Sequence, residues 1–133
     1  MARQFSTTVR NAIADVYEST ISTAPILRIR TGAAPANCAA SRTGTVLATM
    51  TLPSDWLAAA SSGAKALSGT WQDTSADATG TAGHFRIKQG ATCHDQGTIT
   101  ATGGGGDMTL DNTSITAGQQ VTVTTFTVTA AGA

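Results

Sequence analysis

Over residues 4–21 apolar side chains return at steps of three and four: Phe5, Val9, Ile13, Val16, Tyr17 and Ile21. That spacing places them on one side of an amphipathic helix, which is expected to be a contact surface for a partner. Pro25 is expected to stop the helix, because proline lacks an amide donor and disfavours the α conformation in the residue before it. After Pro25 the period falls to two. In "ILRIR", Leu27 and Ile29 face one way and Arg28 and Arg30 the other, the alternation of a strand with one polar face. "TVLATMTL" sets Val46, Ala48, Met50 and Leu52 against Thr45, Leu47, Thr49 and Thr51, and "HFRIK" sets Phe85 and Ile87 against His84, Arg86 and Lys88.

"GTITA" (97–101) and "DMTL" (107–110) flank a run of four glycines, and "QQVTVTTFTVTA" closes the series. This last strand changes phase: Val121 and Val123 are odd, Phe126 and Val128 even. A β-bulge or bend at Thr124 and Thr125 is therefore expected, where the strand would pass from one sheet to another. Residues 53–70 and 72–82 read as long loops, the first with one helical turn around Leu57, and "TCHDQG" (92–97) as a polar turn. The pattern predicts a mainly β chain, an antiparallel β-sandwich of jelly-roll type with one N-terminal α-helix. Residues 1–24 form an arm and helix and residues 25–133 the sandwich, one domain in all.

Composition sharpens this reading. Leu, Ile, Val and Phe together number only 22 in 133 residues, so the core is thin. Only 12% of residues are charged and the formal net charge is zero, which argues against disorder and against nucleic acid or an anionic membrane as partner, a local basic stripe apart. "MARQFSTTVR" has no apolar core of a signal peptide, so synthesis in the cytoplasm is expected. There Cys38 and Cys93 are expected to be free buried thiols.

"TATGGGGDMTL" invites comparison with a phosphate-binding loop, but no lysine and no helical pattern follows the glycines. The expectation is a turn joining two strands, with glycine supplying positive φ. His84, His94, Cys38 and Cys93 show no paired spacing of zinc ligands, and no cofactor, metal or catalytic residue is assigned. Trp56 and Trp71 are either core residues or surfaces that stack on sugar rings. Arg3 and Phe5, ahead of the helix, either pack on their own chain or reach a neighbouring subunit.

The stretches "GTAGHFRI" and "QGTITATGGGGDMTLDNTSITAGQQVTVTTFTVT", with "ILRIRTGAAPAN" and "GTVLATMTLPSDW" upstream, resemble a group of small tailed-phage and prophage virion proteins. That group shows an FR-containing strand, a GGxD or GxxDM turn and a closing I-x-x-G-x-x-V-x-V-x-x-F-x-V-T strand. The resemblance implies a non-enzymatic capsid decoration (cement) protein on the outside of the virion, bound to the major capsid protein and to itself as a homodimer or homotrimer. A tail or head-to-tail junction protein is the alternative, and a carbohydrate-binding module of the virion a further one. It transfers no active site. Arg3, Phe5, Arg10, Trp56 and Trp71 are the interface residues expected on this reading.

Overall fold

The computed structural model describes residues 3–132; Met1, Ala2 and Ala133, which the expected arm and sandwich boundaries include, lie outside it. The chain is mainly β, with one N-terminal helix and a curled, mixed sheet. Helix α1 (Thr7–Ile21) starts at Ser6, whose Oγ accepts from the backbone N–H of Val9 at 3.2 Å, as an N-cap does. It ends a turn ahead of Pro25. Gln89 Nε2 donates to Ile21 O and Thr23 O, both at 2.9 Å, and Trp56 Nε1 donates to Ser22 O at 3.0 Å. Side chains thus satisfy carbonyls that a helix end leaves open.

Among the described residues nine strands follow: β1 (Ile26–Thr31), β2 (Val46–Thr51), β3 (Ala64–Ala66), β4 (Gln72–Asp73), β5 (Gly80–Gln89), β6 (Thr92–Ala101), β7 (Met108–Leu110), β8 (Ser114–Ile115) and β9 (Val121–Thr129). The main path runs β2-β1-β5-β6-β7-β9-β3, with β4 on β9 and β8 on β5. Every pair is antiparallel except β6 and β7, which run parallel with Ile99 beside Met108 and Ala101 beside Leu110. The curl brings the free edge of β2 onto β4 and the segment after it. Asp73 Oδ2 accepts from Thr49 N–H at 3.0 Å and Asp77 N–H donates to Leu47 O at 2.7 Å. At the other end β3 is met by bridges Leu57↔Leu67 and Ser61↔Ala64. Both ends of the strand path are thus met by other segments, which limits the exposed ladders that template strand addition.

Inside the curl lies one core, and five of the six aromatic rings form a line through it. Tyr17 stands 5.9 Å from Trp56, Trp56 5.9 Å from Trp71, Trp71 5.5 Å from Phe126, and Phe126 5.7 Å from Phe85, edge-on. Large rings supply the buried area that a chain poor in Leu, Ile and Val otherwise lacks.

The phase change in β9 is a bulge. Thr109 pairs with Thr125 and Leu110 with Val123, leaving Thr124 as the extra residue. The hydroxyls gather there: Thr109 Oγ1 lies 2.6 Å from Thr124 Oγ1 and 2.7 Å from Thr125 Oγ1. On either side of the bulge β9 changes partner, from β4 to β7 and then to β3. A second bulge overturns the expected placing of Leu47: Ile29 pairs with Ala48 and Arg30 with Val46, so Leu47 is skipped and turns fully into the core.

Three further expectations are corrected. The long loops contain β3, β4 and the first residues of β5, and Leu57 sits in a bridge instead of a helical turn. "TCHDQG" lies in β6, because its polar side chains have partners elsewhere in the fold; the turn sits at Gly90, with φ +59°. Cys38 and Cys93 form a disulfide, their Cα atoms 5.3 Å apart, and are not free thiols. Cys93 on β6 meets Cys38 because residues 32–44 cross the polar face of β1, β5 and β6. Gln96 Nε2 donates to Pro35 O at 2.6 Å, Arg86 Nη2 to Asn37 O at 3.2 Å and Ala40 O at 2.9 Å, and Arg30 Nη1 to Gly44 O at 3.2 Å. The polar face of these strands is roofed by a loop rather than solvated.

The glycine run joins β6 to the parallel β7 in a compact crossover, and its members divide the work by parity. Gly103 and Gly105 have φ of +86° and +82°, which L side chains adopt at a cost. A Cβ on Gly104 would stand 2.7 Å from Thr100 Cβ, and one on Gly106 2.9 Å from Thr100 N. Gly106 N–H donates to Thr100 Oγ1 at 3.0 Å. The run is a backbone device for returning the chain close against β6.

Candidate interaction surface

Helix α1 is fixed along one side by polar contacts. Lys65, on β3 and only 4% exposed, places Nζ 2.8 Å from Asp15 Oδ1 and 3.0 Å from Glu18 Oε1. Burial by itself would lower the pKa of this ammonium, but the two carboxylates outweigh burial and raise it. Glu18 Oε2 also accepts from Leu57 N–H at 3.3 Å, and Asn11 Oδ1 accepts from Gly63 N–H at 2.7 Å. Arg10 Nη1 donates to Ser62 O at 2.9 Å, and the Arg10 side chain fills the space where Gly63 lacks a Cβ. Ala14 and Ile21 are buried and Tyr17 packs against the core.

The buried arc centres on Ala14, and Val9, Ile13 and Val16 lie from about a quarter of a turn (Ile13) to nearly half a turn (Val16) round the helix from it. Those three are 46%, 45% and 59% exposed. The apolar period puts them on one side with Tyr17 and Ile21; the structure turns the helix so that Lys65 reaches its carboxylates, and leaves the aliphatic stripe facing water. Flanking alanines around Lys65 give no sequence signal of that anchor.

The expected interface residues separate. Trp56 and Trp71 are 0% and 1% exposed, so neither presents a face to a partner or a sugar ring, and the stacking that motivated a carbohydrate-binding module has no surface to act from. Their indole N–H groups are satisfied internally, by Ser22 O and Ser68 O. Arg10 is spent on the helix anchor. Arg3 lies over the Phe5 ring, 5.2 Å from its centroid, while Phe5 N–H donates to Gly132 O at 2.8 Å and its ring packs on Gly132. The arm packs on its own chain.

A cleft of about 490 Å³ lies between Tyr17 and the sheet, with Phe85, Phe126, Asp95 and Asp107 among its walls. Tyr17 OH donates to Asp95 Oδ2 at 2.6 Å. Burial raises the Asp95 carboxyl above the ordinary range and the charge of Asp107 adds to it, although the Tyr17 hydrogen bond opposes. Burial, then Asp95, push the Tyr17 phenol up as well, so it stays neutral. The cleft wall contains no His, Cys, Ser or Lys; His84 is fully buried under the loop. Among the described residues no group of three or more His, Cys, Asp and Glu converges as metal ligands do. Comparison with protein families, with curated proteins and with solved structures finds no match for the chain.

Proposed function

We propose that the chain is a non-enzymatic structural subunit of a tailed-phage virion, a decoration protein that binds the outside of the major capsid protein shell and stabilises it. The observation that carries this reading is the exposed stripe of Val9, Ile13 and Val16 on a helix anchored from its other side. The ends of the strand path are met by other segments, and the exposed large apolar side chains among the described residues are on the helix, so it is the surface on which assembly can gain burial. The resemblance of residues 80–129 to small phage virion proteins supplies the assembly. A disulfide suits a final location outside the cell, since such bonds persist at virion surfaces. On this reading the curled sheet is a jelly-roll-like sandwich variant whose β6–β7 pair has become parallel, and the stripe also serves self-association as a homodimer or homotrimer.

The test is sedimentation of purified protein with capsids that lack it. Co-sedimentation that Ile13→Glu abolishes, with the circular dichroism spectrum unchanged, supports the reading; a protein that stays in the supernatant removes it. Copy number by gel densitometry distinguishes the tail or head-to-tail alternative, because a shell lattice requires many more copies than one ring.

A further inference from the structure

The neutral net charge conceals a segregation of the cations. Of the eight Lys and Arg residues, Arg28, Arg30, Arg86 and Lys88 project from the same face of β1 and β5, since Arg28 is the cross-strand partner of Arg86 and Ile26 of Lys88. Arg42 joins them from the loop that roofs this face. Among the described residues no carboxylate lies within ion-pair distance of any of the five; both ion pairs belong to Lys65. Two of the guanidiniums are nearly buried, Arg30 at 7% and Arg86 at 5% exposure. Their hydrogen bonds go to loop carbonyls and Gln96, which are neutral, and Arg30 Nε is buried with no partner at all. Burying cations without counter-charge is costly. Burial and then the neighbouring arginines lower the pKa of both Arg30 and Lys88, the sign of a site in which positive charge is held under mutual repulsion.

Arg42, Arg86 and Lys88 converge on a hollow of about 350 Å³ beside the disulfide, with Ser41 on its rim. We propose that this hollow binds a compact, multiply charged oxyanion, inorganic phosphate or a short polyphosphate, which supplies the counter-charge that the chain itself omits. Two features favour that class. A dianion or higher answers several cations from one small volume, which separate carboxylates on a protein partner do only by spreading out. Arginine's planar fork matches tetrahedral oxyanions in bidentate geometry.

The experiment is calorimetric titration of the oxidised protein with tripolyphosphate and with inorganic phosphate, against sodium chloride at matched ionic strength. Saturable one-to-one binding is expected, tighter for tripolyphosphate. Arg42→Gln and Lys88→Gln, changes at side chains that hold no loop carbonyl, each weaken it about tenfold, while Arg3→Gln leaves it unchanged. Circular dichroism and melting of each variant confirm that it is folded. No saturable heat, or binding that Arg42→Gln and Lys88→Gln leave untouched, overturns the proposal. So does tighter binding of a glutamate-rich peptide or of a single-stranded oligonucleotide, the first pointing to an acidic protein partner and the second to a phosphodiester backbone.

Discussion

Asp107 reaches back across the glycine crossover to Thr98: its Oδ2 accepts from the Thr98 N–H at 2.9 Å and from the Thr98 hydroxyl at 3.1 Å, while Asp107 N–H donates to Thr98 Oγ1 at 3.2 Å. One carboxylate therefore closes the loop that lets β7 lie parallel to β6. Asp107→Ala is expected to destabilise the fold by about 1–2 kcal/mol through lost hydrogen bonds to backbone and hydroxyl. Asp107→Asn, which keeps an acceptor, is expected to lose less. Urea unfolding of the three proteins checks the order.

Within the glycine run the two parities respond differently to substitution. Gly103→Ala is expected to cost about 1–2 kcal/mol from its left-handed φ, and no change at Thr100 relieves it. Gly104→Ala is opposed by overlap with Thr100 Cβ, so pairing it with Thr100→Gly is expected to recover part of the loss. A double-mutant cycle reads the coupling, which is expected for position 104 and absent for position 103.

Much of this architecture is legible in the sequence, and the exceptions have physical causes. The odd-to-even shift at Thr124 announces the bulge because apolar residues stand on both sides of it. The bulge at Leu47 is silent, since "TVLATMTL" alternates equally well with Leu47 out. "TCHDQG" reads as a turn because its polar side chains look solvent-bound, yet Asp95 meets Tyr17 and Gln96 meets Pro35 from distant parts of the chain, and Gln96 meets Arg86 across the β5–β6 hairpin. The helix shows its existence and its extent through its period. The side it buries is decided by Lys65, a residue far away in sequence whose local pattern says nothing.

The Tyr17–Asp95 pair makes stability depend on pH. The folded-state pKa of Asp95 is raised above 3.8, so the folded chain holds the proton more tightly than the unfolded one. The favourable contribution is complete below about 3.8 and declines as pH rises through the folded value. Asp95→Asn keeps an acceptor for the phenol and removes the titration. The variant is expected to show a flatter melting temperature between acid and neutral pH than the parent, measured by calorimetry across that range.

The Cys38–Cys93 bond closes a long stretch of chain, a sequence separation of 55. Chain-entropy arguments assign such a link about 4 kcal/mol. Cys38→Ser with Cys93→Ser is expected to lower stability by up to that amount. Hydrogen exchange in residues 36–42 is expected to quicken well before exchange in β1 or β5, since the loop loses its covalent tie while the sheet keeps its ladders.

Val9→Glu and Val16→Glu are expected to leave unfolding free energy within about 0.5 kcal/mol of the parent, as substitutions on an exposed surface do. Any concentration-dependent association seen by sedimentation equilibrium is expected to disappear. Loss of the monomer's own stability in these variants would mean that the stripe packs against the chain itself.

Strand β9 comes after every strand it pairs with, and it joins β4, β7 and β3, which are otherwise held apart along the chain. Before β9 is in place β7 can dock on β6, β4 on β2 and β3 on α1, but the ladder that links the three to one another is missing. Strand β9 is consequently the zip that draws these earlier pieces together.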